Sequence, residues 1–181
     1  HDIAYFDDHI LHSNQTFSIQ SGLTQNLNLE NYEINSYELL LISPDSILWS
    51  YNWGSPVVFR HKPKTGALLS QTLIPQLLGG GIEGNTFYLQ KSNQHVWLCT
   101  KGKGAFEFNL KGDLLNHYST APNSPAVLPD IDVYGIAETP NGDLWFALGT
   151  GLFQLNAKTQ QTKLFQTRPE SEGANLIYTL T

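Results

Sequence analysis

The stretch NGDLWFALGTGLFQLNAKTQQT, Asn141 to Thr162, decides the fold. Two short apolar runs, LWFAL and LFQL, flank a Gly-Thr-Gly corner and are bounded by polar turn residues. Its meaning depends on whether it stands alone. Trp145 has counterparts at Trp97 and Trp49, so the three tryptophans keep a constant spacing of 48 residues. A turn precedes each one: Ser43-Pro44-Asp45-Ser46, Ser92-Asn93-Gln94 and Pro140-Asn141-Gly142-Asp143. Before each turn lies a short apolar stretch, YELLLI, NTFYLQ or DVYGIA. After each Trp come a corner with Gly54, Gly104 or Gly151 and a run in which Phe59, Phe106 and Phe153 align. A polar turn and a last short run (ALLSQTL, LLNHYS, TKLFQT) close the unit.

Each unit therefore reads as four short antiparallel strands, A to D, in a meander. Sustained 3.6-residue periodicity is absent, and Phe, Tyr, Trp, Val, Ile and Thr favour strands. The Trp-bearing strands are apolar at successive positions, which suits a strand covered on both faces. A four-stranded unit of about 40–50 residues with Trp on its second strand is the mark of a β-propeller blade. The expected fold is an all-β propeller of four-stranded antiparallel blades. Expected blades run over 36–84, 85–130 and 131–170, with residues 1–35 closing a preceding blade and forming a linker. IAYFDDHILHSNQTFSI would supply strands C and D there, and NLIYTLT within 171–181 would begin a further strand A. Three full and two partial blades make either part of a larger ring or a small ring whose ends complete one blade jointly.

At 181 residues the chain needs no metal or disulfide to build a core, and its single cysteine, Cys99, rules out an internal disulfide. A net charge of −6, a pI of about 5.4 and the lack of any basic run argue against nucleic acid. Charged residues are 14% of the chain, so Asn, Gln, Ser and Thr supply much of the polar surface. No apolar run approaches the roughly 20 residues that cross a bilayer. A chain opening at His1 without a leader reads as a trimmed or processed one.

The segment YGIAETPNGDLWFALGTGLFQLNAKTQQTKLF resembles the repeat of two-component regulator propellers. Glu138, Asn141, Gly142, Leu144, Trp145, Gly149, Thr150, Gly151, Leu152 and Phe153 carry the match. SGLTQN, Ser21 to Asn26, resembles the Gly-Leu linker that precedes a new strand A. The copies around Trp97 and Trp49 depart from the pattern at the corner, with Lys101-Gly102 and Tyr51-Asn52-Trp53-Gly54. The resemblance implies the extracytoplasmic sensor region of a bacterial membrane receptor. A histidine kinase or cyclic-nucleotide synthase would then lie beyond the membrane.

Propeller topology puts the B–C corners and D–A connections at one end, and the tight A–B and C–D turns at the other. The variable loops are the ones expected to bind. Candidate ligand contacts are Tyr51, Asn52 and Trp53 (stacking and an amide), Lys101 and Lys103 (donors), and Asp130, Asp132 and Tyr134, where the last strand A begins. This mixture suits a small polar ligand, saccharide included. In the competing reading Trp53 packs between blades, the lysines are solvated and the aspartates cap a turn. Gly79-Gly80-Gly81 lacks the Lys-Ser/Thr of a phosphate loop and reads as a flexible linker. In DDHILH, His9 and His12 face opposite sides of a strand, so no metal site is expected. His61, His95 and His117 read as surface residues without carboxylate companions, and Cys99 as an inert core thiol.

No catalytic residue or cofactor is expected. Three functions compete: a ligand sensor that biases an output module, a propeller lyase or hydrolase, and a protein-interaction scaffold. The inner-strand positions carry mainly Leu, Tyr, Thr and Val, which disfavours the enzyme. Expected partners are the rest of its own receptor and, through open strand edges, another copy of itself.

Overall fold

Short β-branched and aromatic runs broken by Gly, Pro, Asn and Asp leave the chain one economical option, a series of meanders. The computed structural model describes residues 47–166 except 53, 64, 79 and 81–83, with residues 84–86 in backbone only. It also gives the backbone of strands β1 (Ile3–Phe6), β2 (His9–His12), β3 (Gln15–Ser18), β4 (Thr24–Asn26) and β5 (Leu41–Ile42). The remaining strands are β6 (Leu48–Tyr51), β7 (Val57–His61), β8 (Leu68–Leu73), β9 (Gly84–Gln90), β10 (His95–Thr100), β11 (Gly104–Phe108) and β12 (Leu114–Tyr118). They end with β13 (Val133–Glu138), β14 (Leu144–Leu148), β15 (Gly151–Leu155) and β16 (Thr162–Phe165). Every sheet has four strands in chain order: β1–β4, β5–β8, β9–β12 and β13–β16. All pairings are antiparallel.

The first unit, His1–Ile82, holds the first two sheets, and β1 lies beside β5. The second unit, Glu83–Thr181, holds the other two, with β13 beside β9 and β10. Meeting through first strands is how propeller blades join. The fold is an all-β propeller of four-stranded blades.

The register places the repeated tryptophans alike. Trp49, Trp97 and Trp145 pair across to Arg60, Glu107 and Gln154 on their third strands. Strands β6 and β10 are almost wholly buried, whereas β8 alternates between half-buried and exposed residues. Burial on both faces inside and on one at the rim accounts for the unbroken apolar runs. In the second unit Trp97, Tyr118, Val133, Ile136, Phe146 and Phe153 belong to one core packed between the two sheets.

Two expectations change. The first 35 residues do not supply only strands C and D: they carry the four strands β1–β4. These strands are three or four residues long and lack a Trp on the second, so neither signal for a full blade was present. The connection after β8 is not simply a flexible linker. Ile74 and Leu77 are fully buried about a 3₁₀ turn, Pro75–Leu77, and Ile74 N–H donates to Pro56 O at 2.8 Å. Residues 171–181, the expected start of another blade, lie outside the described residues.

Candidate functional site

The Lys101–Lys103 corner, between β10 and β11, is held from three sides. Gly102 N–H donates to Asp132 Oδ1 at 2.6 Å, and Gly104 N–H to Ile131 O at 2.8 Å. His117 Nε2 lies 2.7 Å from Lys103 O, and since a carbonyl only accepts, that nitrogen carries the proton. The His117 ring is also stacked on Phe106, at 4.4 Å between centroids. These bonds leave the Lys101 side chain exposed and that of Lys103 half-buried on a fixed loop.

The connection into β13 reaches the neighbouring corner as well. Asp132 N–H donates to Asp130 Oδ1 at 3.1 Å, so one aspartate orders the other. Asp130 Oδ2 lies over Gly149. A Cβ on that glycine would stand 2.7 Å from Oδ2 and 3.9 Å from Tyr134 Cε2. Beside it, Thr150 Oγ1 is buried without a hydrogen-bond partner among the described residues. Lys101, Lys103, Asp130, Asp132 and Tyr134 thus gather with Gly149 and Thr150 at one end of the second unit. The aspartates act first as loop clamps, each with one carboxylate oxygen committed to a backbone N–H.

The other candidates belong to the first unit. Tyr51 is fully buried in β6 and presents no open stacking face. Asn52 is half-buried, and its backbone carbonyl accepts Ser55 N–H at 3.0 Å. Trp53 lies outside the described residues.

The histidines correct the sequence reading. His61 is fully buried, with Nδ1 3.4 Å from Ser50 Oγ. His95 does have a carboxylate companion: Nδ1 is 2.6 Å from Glu107 Oε1, while Asn116 Nδ2 donates to Glu107 Oε2 at 2.7 Å. Residues 95 and 107 look unrelated in sequence. The β10–β11 register, with Trp97 opposite Glu107, sets them diagonally together. Counting that hairpin outward from Trp97 would have found the pair.

At the opposite end of the sheets the tight turns are structural, as expected. Asp143 accepts from Ala157 N (3.0 Å), Gln154 Nε2 (2.8 Å), Asn141 Nδ2 (3.1 Å) and Asn156 Nδ2 (3.3 Å). The Ala157 amide first, and then the side-chain donors, hold its carboxyl below the usual range. Cys99 is buried, and burial pushes its thiol pKa up, the state of an unreactive core cysteine. No three His, Cys, Asp or Glu side chains cluster as metal ligands among the described residues. Nor is any described helix long and apolar enough to cross a membrane.

No family model matches the sequence. No curated protein matches it either. Solved structures do. The extracellular domain of the hybrid two-component system BT4673 from B. thetaiotaomicron is 16% identical with a TM-score of 0.68, over 97% of this chain and 23% of that one. Virginiamycin B lyase from Staphylococcus aureus is 15% identical with a TM-score of 0.62, over 91% and 51%. The RRP9 WD40 repeats are 11% identical with a TM-score of 0.62, over 88% and 48%. The chain spans about a quarter to a half of these neighbours. At such identities the likeness is one of fold, and it is to propellers. An extracellular domain of a two-component system, the class that the repeat resembles, stands among them.

Proposed function

We propose that this chain is a ligand-sensing part of the extracytoplasmic propeller of a bacterial signalling receptor. On this reading a small polar ligand, such as an oligosaccharide, binds where the Lys101–Lys103 corner meets Asp130, Tyr134 and Thr150. The observation that carries it is the corner itself. Three hydrogen bonds fix this loop, and beside it the buried Thr150 hydroxyl has no partner among the described residues. Preordered donors and acceptors bind polar ligands at low entropic cost. The repeat's resemblance to two-component regulator propellers, and a fold neighbour that is an extracellular domain of such a system, support the placement. Signalling requires that the ligand prefer one arrangement of propeller and output module, since equal affinity for both shifts nothing.

Calorimetric titration of the chain with a panel of neutral and acidic oligosaccharides tests this. The expected result is binding that Lys101→Ala/Lys103→Ala weakens by at least about tenfold and Tyr134→Ala weakens as well. Binding that both variants leave unchanged sinks the assignment of the site. A second reading, a lyase, draws on the likeness to virginiamycin B lyase. Turnover of a panel substrate, abolished by a change at this same end, would favour it.

A further inference from the structure

Gly149 is a glycine for a reason that its backbone does not supply. It lacks the positive φ of Gly104 and Gly151, and no backbone carbonyl stands over it. What an added Cβ would meet is the end of one side chain, Asp130 Oδ2, at 2.7 Å. A side-chain end can swing aside where backbone cannot, so the fold alone does not demand glycine here. The other common use of glycine is to let a ligand approach the backbone closely.

The groups around this bare α-carbon are polar and uncommitted. Asp130 Oδ1 holds Asp132 N–H, whereas Oδ2 accepts no hydrogen bond among the described residues and is not enclosed. Thr150 Oγ1 is buried without a partner among those residues. Nothing therefore pins that hydroxyl, and a turn about one side-chain bond can offer it to a ligand. The Tyr134 ring forms a wall, with Cε2 3.9 Å from the place that a Cβ would take. Asp130, Tyr134, Gly149 and Thr150 are each half-buried, so the notch keeps an open side. A carboxylate oxygen only accepts, so the group that fits must donate. An ammonium would donate too, but Lys101 and Lys103 at the same end disfavour another cation.

We propose that Gly149 is a specificity-determining residue: its bare α-carbon opens a notch in which Asp130 Oδ2 accepts an unsubstituted hydroxyl of a sugar ring. The ring's C–H groups pack on Gly149 against the edge of Tyr134, and the Thr150 hydroxyl bonds the neighbouring oxygen. The notch belongs to the ligand site proposed above and stands only if that site binds sugar. A site built to pair a hydroxyl rejects the analogue that lacks it, because its own polar group is then left unpaired.

Calorimetry of the full chain with oligosaccharides and their deoxy and O-methyl analogues tests this. Gly149→Ala should weaken binding at least about tenfold while its urea midpoint stays close to that of wild type. Asp130→Asn can keep Oδ1 on Asp132 N–H and puts an amide donor in place of Oδ2. In wild type one deoxy position should cost at least about tenfold, and in Asp130→Asn that penalty should vanish. Lys101→Ala/Lys103→Ala should weaken every sugar and leave the deoxy penalty intact. Weakening by the lysine pair with none by Gly149→Ala refutes the notch and leaves the ligand site standing. A deoxy penalty that survives in Asp130→Asn refutes it as well, and decides the matter should Gly149→Ala unfold. A wild-type chain that binds none of the sugars removes both notch and site.

Discussion

Gly104 and Gly151 open the third strands of their sheets at φ +80° and +141°. Each lies against the carbonyl of the last strand, where an added Cβ would collide with Tyr118 O or Phe165 O. Gly54 occupies the same corner of its repeat at φ +75°, with nothing within 4 Å of an added Cβ. Gly54→Ala therefore meets only the left-handed backbone penalty, about 1–2 kcal/mol. Gly104→Ala adds a steric clash with backbone that cannot swing away, and should cost at least about 2 kcal/mol more. Urea midpoints of the two variants check this, and equal losses would refute the collision. The three glycines were legible in sequence as corner residues. Which of them face a carbonyl was not, because that depends on how the fourth strand closes on the third. The same holds for His95: its spacing says nothing of Glu107 until the hairpin register is known.

At the scale of the element, Glu138 joins two sheets. Gln90 Nε2 lies 3.3 Å from its Oε1, and Glu138 N–H donates to Tyr88 Oη at 2.9 Å. Partial burial alone would raise its carboxyl. The bonds from Ser92, Gln90 and Lys91 outweigh that and hold it below the usual carboxylate range. A carboxyl depressed by folding stabilises the fold above its unfolded value, about 4.3, and loses that contribution as pH falls through the folded value. Glu138→Gln should therefore lower the urea midpoint at pH 7, and its gap to wild type should close below about pH 4. A gap that widens in acid would mean that Glu138 is not an anchoring anion. The acidic position was visible as part of the repeat, but its partners lie some 46 to 50 residues away and needed the packing of two sheets to appear. The β1–β4 sheet stayed hidden for a different reason: strands of three or four residues give too few alternations for periodicity to register.

Across the molecule, one spacing carried most of the fold. Equal intervals between tryptophans made the blades legible because each Trp holds the same register position on the second strand of its sheet. The candidate site was legible only as a set of loops. Tyr51 reads as an exposed aromatic until β6 is seen to bury it, while Lys101 and Asp132, in separate segments, meet through the Gly102 amide. Equal spacing does not mean equal energy, however. Trp97 has its own acceptor and is enclosed by Tyr118 and Phe146, whereas Trp145 has no described acceptor and only the partly exposed Phe165 against its ring. Trp97→Ala should cost about 3–5 kcal/mol, the range for emptying a fully packed aromatic site. Trp145→Ala should cost about half of that or less, since part of its ring is already exposed and its N–H loses no described bond. Equilibrium unfolding of both variants decides this. Equal costs would mean that both tryptophans sit in complete joints, and that the chain's last blade is as fully enclosed as the one before it.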